Sequence, residues 1–250
     1  MIIDNPQKQH IPALRRLWQQ AFGDTDEFLD LFFESGFSYD RCRCVFREGE
    51  PVAAHYLFDC RWNGKKVAYM YALAVEKNSR GQGLSRLLIR ETHAQLRLAG
   101  YDGVILEPAD SGLADYYSRL GYRACCCREE IRVTAGDYPA QCKKLGQLGY
   151  EQARRELLPP NGVEQDGAMT AFVHRLAEFY GGDGFVAAAD CSQGRILEFL
   201  GDRDMLPGLL RTLKLEKATV RIPGGTGHTA MYYSLTGEEA LPAYFGLPLD

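Results

Sequence analysis

The segment Arg80–Ser85, with the sequence Arg-Gly-Gln-Gly-Leu-Ser, has the residue types of a loop that binds an anion. It stands between a strand-like run that ends at Val75 and a helix predicted over 84–99. Glycines let the backbone approach a ligand, and a helix N-terminus carries about half a positive charge, so phosphates bind at such junctions. The segment lacks the Lys-Ser/Thr pair of a nucleoside-triphosphate loop and one glycine of the dinucleotide motif G-x-G-x-x-G. The alternative is that Gly81 and Gly83 only form a tight turn.

Motifs on both sides of this loop belong to one pattern. Leu73-Ala74-Val75 precedes the loop, Arg80-x-x-Gly83-x-Ser85 lies within it, and Tyr117-Ser-Arg-Leu-Gly121-Tyr122 follows after the next predicted strand. Together they resemble the GNAT acetyltransferases, whose signature R/Q-x-x-G-x-G/A is followed later by Tyr-x-x-x-Gly-Phe/Tyr. The resemblance covers residues 1–134, including the order of the elements. It implies an α/β fold of the α+β mixed-sheet type, with a central, mostly antiparallel sheet flanked by helices.

The resemblance also implies a site for acetyl-coenzyme A as cosubstrate. In this family the loop amides bind the pyrophosphate, and a bulge in the preceding strand pairs with pantetheine and frees an N–H that polarises the thioester carbonyl. Carried over to this sequence, the expected cofactor-binding residues are Leu73, Ala74, Val75, Arg80, Gly81, Gln82, Gly83, Leu84 and Ser85. Asp110 is a further expected cofactor-binding residue, and it stands where many members have an Asn that contacts pantetheine. Ser85 also departs from the pattern, because it replaces the usual Gly or Ala.

Transfer of the acetyl group would need two proton transfers. The departing thiolate has a conjugate acid with a pKa near 8.5, and a neutral phenol can protonate it. Tyr117 matches the family's tyrosine for this role, whereas its neighbour Tyr116 is predicted to pack. A lysine-like amine, with a pKa of about 10.4, must lose a proton before it attacks. Glu107 is a candidate base, directly or through water, and Glu76 and His55 are further candidates on the substrate side, although a histidine in an apolar strand also fits the core.

Aromatic residues and the end of the sequence are expected around the acceptor. Tyr69 and Tyr71 are predicted on the same strand face as Leu73, where they would line the acceptor pocket or pack. The segment 244–250 is apolar enough to dock. The arrangement resembles tandem acetyltransferases such as the enhanced-intracellular-survival enzymes, in which a terminal carboxylate reaches the active site. That resemblance would make Asp250 a catalytic base, and plain docking of the segment is the alternative.

Hydrophobic periodicity and turn residues predict the elements that position these groups. The first part is predicted as a strand, two helices, a meander of three strands, the glycine loop with its helix, a short strand, a helix and a last strand. The remaining predicted bounds are Ile11–Phe22 and Thr25–Glu34 for the first helices, Arg41–Arg47, Val52–Trp62 and Lys66–Val75 for the meander, Gly103–Leu106 for the short strand, Ser111–Leu120 for the next helix and Tyr122–Val133 for the last strand.

Beyond Thr134 the pattern is looser, and we divide the chain into a catalytic domain, 1–134, and a degenerate GNAT-like or accessory α+β domain, 135–250. One helix is predicted within 138–160 and further helices over 168–180 and 205–213, and strands are predicted over 185–190, 195–200, 218–222 and 230–235. The run Leu200-Gly201-Asp202-Arg203-Asp204 occupies the position of the phosphate loop. Its acidic side chains would repel a pyrophosphate, so the second part is not expected to bind coenzyme A.

The composition is that of a soluble globular protein: 250 residues, 46% of them apolar and 25% charged, with a formal net charge of −4. The sequence has neither an apolar run of about 18 residues nor a signal peptide, so we expect a cytoplasmic protein without a membrane partner. Its net charge does not favour binding to nucleic acid.

The 8 cysteines, including Cys125-Cys126-Cys127, match neither a disulfide framework nor the spacing of zinc ligands. We therefore expect no metal, and because Cys60, Cys125, Cys126 and Cys127 lie on predicted strands without a paired histidine, we expect them to be buried apolar residues and not to form a covalent intermediate.

The leading hypothesis is an N-acetyltransferase that moves an acetyl group from acetyl-coenzyme A directly to a primary amine in a ternary complex, as a monomer or a homodimer. The alternative is a non-catalytic coenzyme A sensor or a partner-binding module, although a sensor has no need of Tyr117. The acceptor would be a small molecule or an amine of a peptide or protein. The acidic second part would suit a cationic acceptor.

Overall fold

A computed structural model describes residues 1–249 of the chain. In this part twelve strands form one mixed sheet, flanked by seven helices. The elements of the first half are β1 (Ile2–Asp4), α1 (Ile11–Phe22), α2 (Asp26–Ser35), β2 (Cys42–Arg47), β3 (Glu50–Trp62), β4 (Lys65–Val75), α3 (Leu84–Leu98), β5 (Gly103–Leu106), α4 (Ser111–Ser118) and β6 (Arg123–Thr134). The predicted α/β class is confirmed.

Local signals in the first half agree with the predicted elements. Helix α1 has the predicted bounds and ends at Gly23, whose φ of +77° a glycine adopts without strain. Helix α2 begins after Thr25, whose side-chain oxygen accepts the N–H of Phe28 as an N-cap. Strand β5 has the predicted bounds and is buried along its whole length.

The second half repeats the element order of the first. Its elements are β7 (Cys142–Leu145), α5 (Gln147–Leu157), β8 (Glu164–Gln165), α6 (Ala168–Leu176), β9 (Glu178–Gly182), β10 (Phe185–Asp190), β11 (Arg195–Gly201), α7 (Leu206–Thr212) and β12 (Lys217–Ser234). Apart from the two-residue strand β8, this order is strand, two helices, three strands, helix, strand, as in β1 to β5. The sheet order β1-β2-β3-β4-β5-β12-β11-β10-β9-β7 places the two sets side by side.

The helix predicted within 138–160 is present as α5, but the sequence does not predict strand β7 before it, and the predicted helix 168–180 is wrong at 178–180, which lie in β9. The two glycines after Tyr180 lie in a strand instead of ending a helix. A Cβ on Gly181 would lie 2.7 Å from a methyl carbon of Leu145, and one on Gly182 would lie 2.4 Å from the ring of Phe185. The Leu145 methyl can move, but a Cβ on Gly182 would also lie 2.5 Å from the carbonyl oxygen of Gln141, so the pairing of these strands requires glycine at 182.

Strand β12 joins the two halves of the sheet. Its first part, 217–223, pairs with 128–134 of β6 and runs parallel to β11. Its last part lies between β5 and β6, with Met231 opposite both Leu106 and Ala124. Residues 224–227 bulge out between these parts, so the two strands predicted at 218–222 and 230–235 are one long strand. The division at residue 134 stays a prediction.

A hydrophobic core lies on each face of the sheet. Aromatic side chains of α1, α2, β3 and β4 share one face with the segment 244–247, including Trp18, Phe32, Tyr56, Tyr69 and Phe245. Helix α3 covers the other face, where Leu57, Met70, Ile89 and Val104 are buried together. No helix within residues 1–249 is both long enough and apolar enough to cross a membrane.

Candidate active site

The loop between β4 and α3 has open space at both of its glycines. Gly81 and Gly83 each have a φ of +76°, in the left-handed region that favours glycine, and a Cβ built on either would meet no heavy atom of the described chain within 4 Å. Gly83 is the N-cap of α3, and within residues 1–249 no side chain caps this helix. The N–H groups of the first helical turn are therefore left for a ligand or water. This geometry fits the pyrophosphate-binding loop that the sequence predicts. We call Gly81, Gly83 and the first turn of α3 the cradle.

Hydrogen bonds outside the cradle fix the shape of the loop. The guanidinium of Arg80 donates to the carbonyl of Val75 at 3.1 Å, and that of Arg47 donates to Oε1 of Gln82 at 2.8 Å. Glu76, a predicted candidate on the substrate side, accepts a hydrogen bond from the hydroxyl of Ser79 at 2.9 Å. Its carboxylate therefore takes part in loop structure.

Strand β4 carries a bulge where it leaves β5. Ala54 of β3 lies opposite Ala74 and Tyr56 lies opposite Tyr71, so β4 has one extra residue opposite His55. Ala72 has a φ of +50°, which an alanine rarely adopts. The parallel pairing of β4 with β5 ends at Tyr69 and Ile105. Beyond that point 70–75 is not paired with β5, and we call this unpaired stretch the opening; the predicted residues Leu73, Ala74 and Val75 lie along it.

Side chains of β4 alternate between the two faces of the sheet, and the bulge shifts this alternation by one residue. One prediction is wrong for this reason. The sequence predicts Tyr69, Tyr71 and Leu73 on one face. Tyr69 and Tyr71 pack with the aromatic core of α1 and α2, whereas Leu73 packs on the opposite face, beneath α3. Because Ala72 is an extra residue, the residues that follow it lie on the opposite face of the sheet from the one that regular alternation predicts.

Helix α4 positions Tyr117 beside this opening, where it packs in one hydrophobic cluster with Met70 and Leu73. Its N-cap is Asp110, whose Oδ1 accepts the N–H of Leu113 at 2.8 Å. Tyr117 is 7% exposed, and its ring lies 5.3 Å from that of Tyr116 and 5.5 Å from that of Tyr122. Burial raises the pKa of the Tyr117 hydroxyl above its usual value, so this phenol is protonated at neutral pH.

Glu107, the predicted base, directly follows β5 and forms an ion pair. Both of its oxygens accept hydrogen bonds from the guanidinium of Arg128, at 2.8 and 3.1 Å. The pair is mostly buried, with side-chain exposures of 17% for Glu107 and 8% for Arg128. It joins the end of β5 to β6 across β12.

The segment 242–249 docks in the interior, next to Tyr69. The amide of Gln165 holds Leu247 through two hydrogen bonds, from its nitrogen to the Leu247 carbonyl and from the Leu247 N–H to its oxygen. The N–H of Leu249 donates to the hydroxyl of Tyr69 at 3.2 Å, and the ring of Phe245 lies 4.8 Å from that of Tyr69. Asp250, the predicted terminal base, lies outside the described residues.

His55 lies in the interior. Its exposure is 0%, and its Nε2 lies 2.8 Å from the hydroxyl of Thr92 in α3. Burial lowers the pKa of the imidazole to about 3, so the ring is neutral at physiological pH. This placement corresponds to the core alternative for His55.

The structure brings together a cysteine and a histidine whose contact the sequence does not predict. Cys127 and His228 lie opposite each other on β6 and β12, with Sγ and Nδ1 3.7 Å apart. The expectation that no histidine is paired with Cys125, Cys126 or Cys127 is therefore wrong for Cys127. Only the pairing of strands that are distant in the sequence brings the two residues together. Within residues 1–249 no group of three or more metal-ligating side chains is clustered.

The corresponding loop of the second half is closed. A Cβ on Gly201 would lie 1.9 Å from the carbonyl oxygen of Gly184, so this glycine serves close packing. Arg203 donates to Oε1 of Glu129 at 2.9 Å and to the carbonyl of Pro223 at 2.8 Å. Its side chain thereby bridges to β6 and β12, and the open cradle found at Gly81 and Gly83 has no counterpart there.

Comparisons with known proteins agree with this architecture. Residues 3–125 match a family model described as an acetyltransferase (GNAT) domain. A GCN5-related N-acetyltransferase from Anabaena variabilis is 14% identical, with a TM-score of 0.73 over 94% of this chain and 73% of that chain. One from Kribbella flavida is 16% identical, with a TM-score of 0.71 over 94% and 72%. A putative acetyltransferase from Pyrococcus horikoshii is 17% identical, with a TM-score of 0.67 over 99% and 94%.

At these identities the structural likeness establishes the fold, which extends over both halves of the chain. No curated protein sequence matches this chain.

Proposed function

Since residues 3–125 of this chain belong to the GNAT acetyltransferase family, we propose that the protein transfers an acetyl group from acetyl-coenzyme A to a primary amine. The observation that carries this proposal concerns Gly81 and Gly83 at the uncapped N-terminus of α3. Both have a left-handed backbone conformation and open space where a side chain would stand. The cradle adjoins an opening between β4 and β5 that is bordered by a bulge. A pyrophosphate ester with a long arm that carries amide groups fits this combination.

The residues around the opening suit acetyl-coenzyme A. Backbone N–H groups from Gln82 to Ser85, with the positive end of the α3 dipole, would hold the pyrophosphate. The free edge of β4 from Leu73 to Val75 would pair with pantetheine as an added strand. The thioester, when bound, supplies the activated acyl group. The bulge supplies backbone donors, with Ala74 or a neighbour polarising the carbonyl.

Tyr117 is the proposed general acid. Its phenol is protonated at neutral pH and lies on the helix beside the opening. The burial that raises the pKa of the phenol also raises the pKa of the thiol that the leaving thiolate would form beside it. The two pKa values therefore shift in the same direction, and the proton transfer stays favourable. Direct attack by the amine then needs no covalent enzyme intermediate.

Glu107 is the proposed base, acting through water. Its carboxylate directly follows β5 and has a side-chain exposure of 17%, so water can reach it while Arg128 holds it in place. Asp250 stays a second proposed base. Comparison of Glu107→Gln with a variant that carries two extra glycines after Asp250, which moves the terminal carboxylate away, would separate the two proposed bases through their effects on kcat.

The acceptor side is aromatic and acidic. Tyr71 is half-buried and lies 5.4 Å from Trp18, whose indole N–H donates to a carboxylate oxygen of Asp24 at 2.7 Å. Trp18 is only 1% exposed, so we propose that an amine carried on an apolar body contacts the exposed part of Tyr71 and the Asp24 carboxylate, because an aromatic ring and a carboxylate both attract a cation.

The experiment is a thiol-release assay with acetyl-coenzyme A and a panel of a polyamine, an aminoglycoside and a lysine-containing peptide. Turnover that depends on an amine and is lost in Tyr117→Phe would support the proposal. Tight acetyl-coenzyme A binding without turnover on any amine would favour a sensor instead.

A further inference from the structure

His55 is the single β3 residue opposite the extra residue of the β4 bulge. Ala54 and Tyr56 on either side of it pair with Ala74 and Tyr71, so the irregular part of β4 is spanned by His55 alone. The apolar neighbours on the same face of β3 are Ala53 and Leu57. An imidazole at this fully buried position needs a polar partner to offset its desolvation.

That partner belongs to the helix that begins at the cradle. His55 Nε2 lies 2.8 Å from the hydroxyl of Thr92, and both side chains are buried. Thr92 lies eight residues after Leu84 in α3, about 12 Å along one continuous helix at 1.5 Å per residue. The hydrogen bond therefore connects the β3 residue opposite the bulge to the helix whose N-terminus forms the cradle.

We propose that His55 and Thr92 are positioning residues that set the distance between the two halves of the cosubstrate site. This inference rests on the proposed function, in which the bulge receives the thioester and the α3 N-terminus receives the pyrophosphate. A ligand that occupies both places loses affinity when the distance between them does not match its own length. A fragment that occupies only the cradle does not.

The matched variants are Thr92→Val, which removes the hydroxyl at nearly constant shape, and Thr92→Ser, which keeps it. Calorimetric titrations with acetyl-coenzyme A and with adenosine 3′,5′-bisphosphate, the nucleotide fragment, separate the two halves of the site. Thr92→Val should weaken acetyl-coenzyme A about tenfold, equivalent to about 1.4 kcal/mol, and change the fragment affinity less than twofold. Thr92→Ser should bind both ligands like the wild type.

His55→Leu is the second variant and should show the same selective loss, which keeps the test usable if Thr92→Val does not fold. Combined with Thr92→Val it should add little, because both remove one hydrogen bond. Equal losses for both ligands, or no loss for acetyl-coenzyme A, would overturn the positioning role. If the wild type binds the fragment but not acetyl-coenzyme A, the proposed function fails first and this inference falls with it.

Discussion

The hydroxyls of Ser85 and Tyr116 lie 2.8 Å apart, which ties the first turn of α3 to the helix that carries Tyr117. The sequence identifies Ser85 only as a departure from the Gly or Ala usual in the GNAT signature. Its hydroxyl links the proposed pyrophosphate cradle to the helix of the proposed acid.

Removal of this hydrogen bond from either side should have the same effect. Ser85→Ala and Tyr116→Phe should each lower the free energy of unfolding by about 1 kcal/mol, the usual net contribution of a neutral hydrogen bond. Urea denaturation of both variants and of the double variant forms a double-mutant cycle. Additive losses in the double variant would show that the two hydroxyls do not interact.

Tyr117→Phe should separate chemistry from binding. Because only the hydroxyl is lost from a buried ring, kcat should fall about 100-fold or more, the usual loss for a general acid. The acetyl-coenzyme A dissociation constant should stay within twofold. Tyr122→Phe is the matched control, since it removes a neighbouring buried hydroxyl that bonds to His93. A Tyr117→Phe enzyme with wild-type kcat would exclude this tyrosine as the acid.

Acidification should destabilise the protein through two buried histidines. Burial lowers the pKa of His55 to about 3 and that of His93 to about 4, whereas both would titrate near 6.5 in the unfolded chain. The unfolded state therefore binds more protons between these values, and stability falls as the pH falls below about 6.5. From pH 7 to pH 5 each imidazole should lower the free energy of unfolding on the order of 1–2 kcal/mol.

Urea denaturation at several pH values would measure this slope. The variants His55→Leu and His93→Leu should each remove about one proton from the difference between unfolded and folded states near pH 5. An unchanged slope in both would contradict the interpretation that these rings are neutral in the folded protein.

A buried ion pair should make the docked segment sensitive to single substitutions. Arg154 and Glu198 are nearly inaccessible, with Nε and Oε2 2.7 Å apart, and Glu198 also accepts from the hydroxyls of Tyr150 and Tyr244. Arg154→Met leaves an uncompensated buried carboxylate and should cost about 3–5 kcal/mol of stability. Adding Glu198→Gln should restore much of that loss, as measured by urea denaturation. A loss below about 1 kcal/mol in Arg154→Met would refute this role for the pair.

The sequence predicts the first half well because its signals are local. The bounds of α1 and β5 are correct, since amphipathic spacing and a short apolar run each determine an element without distant contacts. The loop 80–85 could also be found, because glycines before a helix specify a backbone geometry.

The errors arise where distant pairing decides the structure. β7 is a short edge strand containing Lys143 and Lys144, without apolar alternation, and only its pairing with β9 establishes it. The position of Leu73 depends on a bulge whose extra residue, Ala72, carries no turn signal. Cys127 and His228 meet only because β12 crosses between the halves.

The central claim is that the open cradle at Gly81 and Gly83 binds acetyl-coenzyme A, and calorimetric titration of the wild type beside Gly83→Glu tests it most directly. The glutamate would place a carboxylate in the cradle on a backbone with a φ of +76°. We expect micromolar binding by the wild type and none by the variant, with both proteins folded by circular dichroism. Absence of binding to the wild type, or equal binding by the two proteins, would contradict the claim.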